Sequence, residues 1–77
     1  MNREQLIRHN KRLQSAQEVC AMLKPKYDAS ICLFDRTAVM IKSIDEKHFS
    51  VLCAKYRCSG YYNGQTQTAI ITNFWEY

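Results

Sequence analysis

The chain has 77 residues, of which 47% are apolar and 23% are charged, with two glycines and one proline. This length and composition indicate one folded domain over residues 1–77 and argue against a disordered or low-complexity chain. The formal net charge of +4 lies wholly within residues 1–26, because residues 27–77 carry five basic and five acidic side chains. A basic N-terminal segment on a neutral body predicts a surface that meets an acidic partner or a phosphate backbone.

The sequence contains neither the apolar stretch of a secretory signal nor one long enough to span a membrane. We therefore expect a cytoplasmic protein without a membrane partner. In that compartment the four cysteines are expected to remain reduced and to pack as small apolar side chains.

The first predicted element is a helix over about residues 2–24. Its apolar residues recur at helical spacing along one stripe, which comprises Leu6, Leu13, Ala16, Cys20 and Leu23. Asn2 and Gln5 form a capping-box pattern at its start. Pro25 ends the helix, because proline disfavours helical geometry in the residue before it.

Four strands are predicted after the helix, over about residues 30–34, 38–44, 49–61 and 66–75. Asp35-Arg36-Thr37 forms the turn between the first two. Asn63-Gly64 predicts a type I′ hairpin turn between the last two, because both central positions of that turn need positive φ angles.

The predicted type I′ turn fixes the register of the last hairpin. It pairs Cys58 with Ala69 and Tyr56 with Ile71, and it makes a substitution such as Gly64→Val costly. Together the elements predict an α+β fold, with a long N-terminal helix packed on a four-stranded antiparallel sheet in the order α-β-β-β-β. A small bent β-barrel with an N-terminal helix is the alternative.

The strongest candidate for a partner-binding surface lies on the helix. Arg8, Lys11 and Arg12 are spaced i, i+3 and i+4, which places them on one helical surface. The competing interpretation is a solvated helix face on which Glu4 pairs with Arg8. A second, weaker candidate surface comprises Lys55, Arg57 and Tyr61, which alternate along the predicted strand over 49–61.

No catalytic, metal-binding or cofactor-binding residues are predicted. Cys53 and Cys58 are five positions apart on one predicted strand, so their side chains would point to opposite faces, and the sequence lacks a C-x-x-C pair. Neither histidine has a recognisable nucleophile partner, and glycine is too scarce for a phosphate-binding loop.

Self-association is predicted from apolar residues outside the main helical stripe and near the C-terminus. These residues are Ile7, Met22, Phe74 and Trp75. A domain this small gains stability from a second copy that covers such surface, so a homodimer or larger homo-oligomer is expected.

The sequence therefore predicts a non-enzymatic, protein-binding regulator or inhibitor that recognises an acidic surface of another protein. Very small proteins of phages and mobile elements that act on a host or defence complex are one class that fits this description. The alternative is a small nucleic-acid-binding regulator that uses the basic helix. The protein partner is favoured, because the sequence has no base-reading pattern and its excess charge is modest.

Overall fold

The computed structural model describes residues 2–75, which form two helices and one four-stranded sheet. The elements are α1 (Arg3–Leu23), β1 (Asp28–Ile31), β2 (Val39–Lys42), α2 (Glu46–Lys55), β3 (Ser59–Asn63) and β4 (Thr68–Thr72). The strands are antiparallel and lie in the order β1-β2-β4-β3. The α+β class is therefore confirmed, with α2 added between the second and third strands. The sheet has open edges at β1 and β3, so it is not the barrel considered as the alternative.

Helix α1 begins as its sequence predicts. The Asn2 side chain accepts a hydrogen bond from the Gln5 backbone N–H at 2.8 Å, and the Asn2 N–H donates to Gln5 Oε1 at 3.2 Å. The buried residues of α1 all lie in its second half and are Ala16, Val19, Cys20 and Leu23. Every residue from 2 to 12 is exposed, including Leu6 of the predicted apolar stripe. The first half of α1 thus extends beyond the hydrophobic core.

A second helix occupies residues 46–55, so the predicted strand over 49–61 is wrong for most of its length. The Asp45 side chain caps this helix by accepting a hydrogen bond from the His48 N–H at 2.7 Å. Four of the residues that follow lie on one helical face and are Phe49, Leu52, Cys53 and Tyr56, each of them buried or partly buried. Capping and burial of this face outweigh the β propensity of individual residues.

Helix α2 packs against β3 through Phe49. The Phe49 ring stacks on Tyr62 with ring centroids 5.6 Å apart. A Cβ atom at Gly60 would lie only 2.8 Å from Phe49 Cε1, so glycine allows the close approach of helix and strand. The Tyr62 hydroxyl also donates to the Ile44 carbonyl at 2.9 Å, which ties β3 to the segment before α2.

The loop of the last hairpin is longer than predicted. Asn63 pairs with Thr68, which leaves residues 64–67 in the loop. The Asn63 side chain accepts a hydrogen bond from the Gln65 N–H at 3.0 Å, and Gln67 takes the positive φ angle of 53°. This Asx-type turn satisfies the loop backbone without a left-handed glycine.

The predicted type I′ turn is therefore wrong, and so is its register. Gly64 has no positive φ angle, and Ala69 pairs with Tyr62 rather than with Cys58. Ile71 pairs with Gly60 rather than with Tyr56. The register error is an even number of residues, so it leaves Ala69 and Ile71 on the same face of the sheet, and both are buried in the core.

The first hairpin is confirmed, but its first strand begins and ends earlier than predicted. Asp28–Ile31 pairs with Val39–Lys42, and residues 33–37 form a wide loop. Asp35 accepts hydrogen bonds from the Thr37 N–H at 3.0 Å and from Thr37 Oγ1 at 2.6 Å. The predicted strand over 30–34 would have given residues 33 and 34 hydrogen bonds to a neighbouring strand. They lie instead in the loop, whose backbone is held by these local bonds.

Both helices cover the same face of the sheet. The buried sheet residues on this face are Ala29, Val39, Ile41, Ala69 and Ile71, and they pack with the buried residues of α1 and α2. On the other face Ser30, Met40, Ile70 and Tyr61 form a row across all four strands. In the described range 2–75 no helix is both long and apolar enough to cross a membrane.

Candidate functional site

A cavity of about 350 Å³ lies between the exposed half of α1 and the residues that follow β4. We call it the basic cavity. It is lined by Arg8, Lys11, Arg12 and Ser15 of α1, by Thr37, and by Asn73, Phe74 and Trp75. The three cations that were predicted to bind a partner therefore share one concave site.

The α1 wall of the basic cavity carries positive charge and no carboxylate. Within residues 2–75 neither Arg8 nor Lys11 forms an ion pair, and the Glu4–Arg8 pair of the competing interpretation is not made. A solvated helix face would gain support from such intrahelical pairs. Arg8 and Lys11 instead line the cavity, where they can bind an acidic group of a ligand.

The residues after β4 that line the cavity include Trp75, which is 41% exposed. Its φ angle of 60° is unusual for a bulky residue and costs about 1–3 kcal/mol. The Trp75 N–H donates to the Tyr56 carbonyl at 2.8 Å, and the two rings pack edge to face with centroids 6.3 Å apart. These contacts hold an aromatic surface in place at the cavity.

Hydrogen bonds hold two further lining residues of the basic cavity, Thr37 and Asn73, in position. Thr72 Oγ1 donates to the Thr37 carbonyl at 3.1 Å, and Asn73 Nδ2 donates to Ser59 Oγ at 3.2 Å. Thr37 in turn donates its side-chain O–H and its backbone N–H to Asp35, and these two hydrogen bonds lower the pKa of that carboxyl group. The loop before β2 is thereby tied both to itself and to the end of β4.

The second predicted surface is not assembled, because its three residues lie in different places. Lys55 ends α2, and its Nζ lies 5.5 Å from the centroid of the Tyr56 ring. Arg57 follows α2 with a φ angle of 47°. Tyr61 lies in β3 on the sheet face opposite the helices. The prediction had placed all three on one strand, and the formation of α2 removes that arrangement.

Cys53 and Cys58 are adjacent, which corrects the expectation that they point to opposite faces. The Cys58 N–H donates to the Cys53 carbonyl at 3.1 Å, and the Arg57 N–H donates to the Ala54 carbonyl at 3.4 Å. This is a Schellman helix end, in which the side chains corresponding to Cys53 and Cys58 commonly touch. The two thiols lie close enough for each to affect the pKa of the other.

The environment of the two thiols suits packing rather than chemistry. Burial, with a smaller contribution from Cys53, raises the pKa of Cys58 to about 12. Burial also raises the pKa of Cys53. Because the thiolate is the reactive form, both are poor nucleophiles at neutral pH. Across residues 2–75 no three His, Cys, Asp or Glu side chains are grouped so that they could hold a metal ion.

The residues predicted to mediate self-association are divided. Ile7, Met22 and Trp75 are exposed, whereas Phe74 is buried in the core. Sequence reasoning missed two other exposed apolar residues, Leu33 and Phe34, because it assigned them to a strand. Their position directly before the Asp35 turn is the signal that could have identified them.

Comparison of the chain with models of known protein families, with curated proteins and with solved structures finds no match. The charge and geometry of the sites themselves therefore indicate what the protein can bind. The basic cavity is the strongest of these sites, since it joins cations, an exposed aromatic ring and a concave shape.

Proposed function

We propose that the protein is a non-enzymatic binding protein that docks onto an acidic segment of a partner protein through the basic cavity. The observation that carries this proposal is the convergence of Arg8, Lys11 and Arg12 on one cavity beside Trp75. Guanidinium groups bind carboxylates through paired hydrogen bonds, and an aromatic ring adds apolar contact area. Occupation of a partner's surface in this way is how a cytoplasmic regulator or inhibitor of a host or defence complex would act.

The size of the basic cavity supports a side chain as its occupant. Ligand pockets commonly measure about 300–1,000 Å³, and the basic cavity lies near the lower end of that range. It accommodates one or two acidic side chains of a partner. Within residues 2–75 its lining includes no His, Cys, Asp or Glu, so Lys11 is the one described lining residue of a type that commonly transfers protons. This composition favours binding over catalysis.

The alternative of a nucleic-acid-binding regulator is less well supported. Single-stranded nucleic acids are commonly bound by several aromatic rings in a basic groove. The second candidate surface combines two cations with an aromatic ring, but its residues Lys55, Arg57 and Tyr61 lie on different parts of the molecule. Three cations in one cavity can also contact only a short stretch of a phosphate backbone, whereas affinity for nucleic acid increases with the number of phosphates contacted.

Trp75 provides the test of the proposed function, because it is the only tryptophan in the sequence. A peptide of glutamates bound in the basic cavity should change Trp75 fluorescence, and the change should weaken with added salt. A peptide of glutamines should have no effect. A response to oligothymidylate and none to the glutamate peptide would favour the nucleic-acid alternative, and no response to either would contradict both.

Charge-reversal variants locate the response. Arg8→Glu combined with Lys11→Glu should weaken the response to the glutamate peptide, slow its association and flatten its salt dependence. Lys24→Glu combined with Lys26→Glu is the matched control, because it changes the net charge equally at exposed positions outside the cavity. Equal binding by both double variants would show that only the overall charge matters.

A further inference from the structure

The loop between β1 and β2 presents two apolar side chains to solvent. Leu33 is 86% exposed and Phe34 is 100% exposed. We call these two residues the apolar tip. Single exposed apolar residues are common on protein surfaces, but a wholly exposed phenylalanine next to an exposed leucine gains free energy whenever another surface covers the pair.

Backbone hydrogen bonds hold the loop that carries the apolar tip. The Cys32 N–H donates to the Ala38 carbonyl at 3.0 Å, which closes the loop, and the Ala38 N–H donates to the Asp35 carbonyl at 3.0 Å. With the Asp35–Thr37 hydrogen bonds described above, these contacts fix the backbone on the C-terminal side of Phe34. A preformed loop loses less conformational entropy on binding than a flexible one.

Positive charge lies on both sides of the loop. On one side Thr37 lines the basic cavity together with Arg8 and Lys11. On the other side Arg36 and Leu33 line a second cavity of about 350 Å³ against α1. The apolar tip and the basic cavity therefore belong to one end of the molecule, although their residues are far apart in sequence.

We propose that the apolar tip and the basic cavity form one binding surface, in which Phe34 enters an apolar pocket of a partner protein whose rim carries carboxylates. This inference rests on the proposed function and adds the apolar half of the recognition. Interfaces draw most of their binding energy from a few residues, among which aromatic and arginine side chains are enriched.

Charge favours a protein pocket with an acidic rim over two other possible occupants, a second copy of this chain and a lipid surface. A second copy meeting this end would bring the cations around both tips together, and such like-charge contacts oppose association. A lipid surface is flat and reaches the tip more readily than the concave cations. It would also have to accommodate the Asp35 carboxylate directly beside Phe34, whereas the carboxylates of a protein pocket can face Arg8 and Lys11 in the basic cavity, which Asp35 does not line. A protein pocket with an acidic rim fits both the protruding tip and the cavity.

Selection of short random peptides displayed on phage tests the proposal without a known partner. Peptides that bind the wild-type protein should combine Asp or Glu with aromatic or aliphatic residues. Synthesised individually, they should bind Phe34→Ser about 10- to 100-fold more weakly, which corresponds to exposing one buried aromatic side chain. Val51→Ser is the matched control, because it alters an exposed apolar residue of α2 and should leave binding unchanged.

The outcomes separate this inference from the proposed function. If the selected peptides are acidic, change Trp75 fluorescence and bind Phe34→Ser as tightly as wild type, the basic cavity is a binding site and the role of the apolar tip is refuted. If the selection yields no peptides or peptides without acidic residues, both proposals are refuted. Binding that depends on Phe34 but occurs only with phosphatidylserine–phosphatidylcholine vesicles would assign the tip to a lipid surface and overturn the inference.

Discussion

The packing of α2 on β3 can be tested with a single methyl group at Gly60. A Cβ atom there would lie 2.8 Å from the Ile70 carbonyl oxygen, 2.8 Å from Phe49 Cε1 and 2.9 Å from Ile71 Cγ2. The carbonyl belongs to the neighbouring strand and cannot withdraw without disturbing the β3–β4 ladder. Gly60→Ala should therefore destabilise the protein.

The expected size of the effect follows from two opposing contributions. Alanine in place of glycine reduces the entropy of the unfolded chain, which stabilises a protein by about 0.4–1 kcal/mol where the backbone conformation permits alanine. Gly60 has no positive φ angle, so this contribution is retained. Overpacking costs about 1–3 kcal/mol. The net loss of about 1–2 kcal/mol should lower the melting temperature by about 4–16 °C in a domain of this size.

Gly64→Ala is the matched control, since it adds the same methyl group in the adjacent hairpin loop. Its Cβ would meet only Tyr62 Cε2, at an ordinary distance of 3.7 Å. Thermal unfolding followed by circular dichroism should show Gly64→Ala as stable as wild type or slightly more stable. A destabilised Gly64→Ala with an unaffected Gly60→Ala would refute this packing and restore the type I′ turn predicted from the sequence.

Two further predictions concern the thiols and the assembly. A thiol of the unfolded chain ionises near its ordinary pKa of 9.0, whereas Cys58 in the folded protein ionises near 12, so folding stability should decrease as pH rises from about 9 toward 12. Urea unfolding at several pH values should show a weaker decrease in Cys58→Ala than in wild type, and identical pH profiles would contradict the raised pKa. Sedimentation should give a mass above the 9.1 kDa of one chain. Met22→Glu or Ile7→Glu should restore the monomer if the respective exposed side chain mediates contact, and a wild-type monomer at micromolar concentration would refute self-association.

The parts of the fold that could be predicted from sequence are those with strong local signals. The capping box of Asn2 and Gln5 and the helical spacing up to Leu23 specify α1 without reference to the rest of the chain. The change to short β-type segments after Tyr27 was enough to predict an antiparallel sheet. These signals involve residues that are close in sequence, so the structure they favour does not depend on contacts with distant parts of the chain.

The parts that were missed depend on competition between local signals. Around Phe49 and Leu52 the same residues fit either a strand or a helix, and the Asp45 cap decides for the helix. At Asn63-Gly64 the dipeptide fits a type I′ turn, but the Asn63 side chain forms a different turn by accepting from the following N–H groups. In both places a polar side chain determines the backbone conformation, and apolar patterning alone does not detect it.

The candidate site could be predicted only in part, because its walls come from separate regions of the chain. The spacing of Arg8 and Lys11 indicated a binding surface, but only the fold places Trp75 and the apolar tip near them. Arg8, Lys11 and the two residues of the apolar tip are exposed, so the hydrophobic core does not depend on them. Variants of the tip and of the cations should therefore unfold like wild type, whereas Gly60→Ala should not. This separation allows a loss of binding in the surface variants to be attributed to the site itself rather than to the fold.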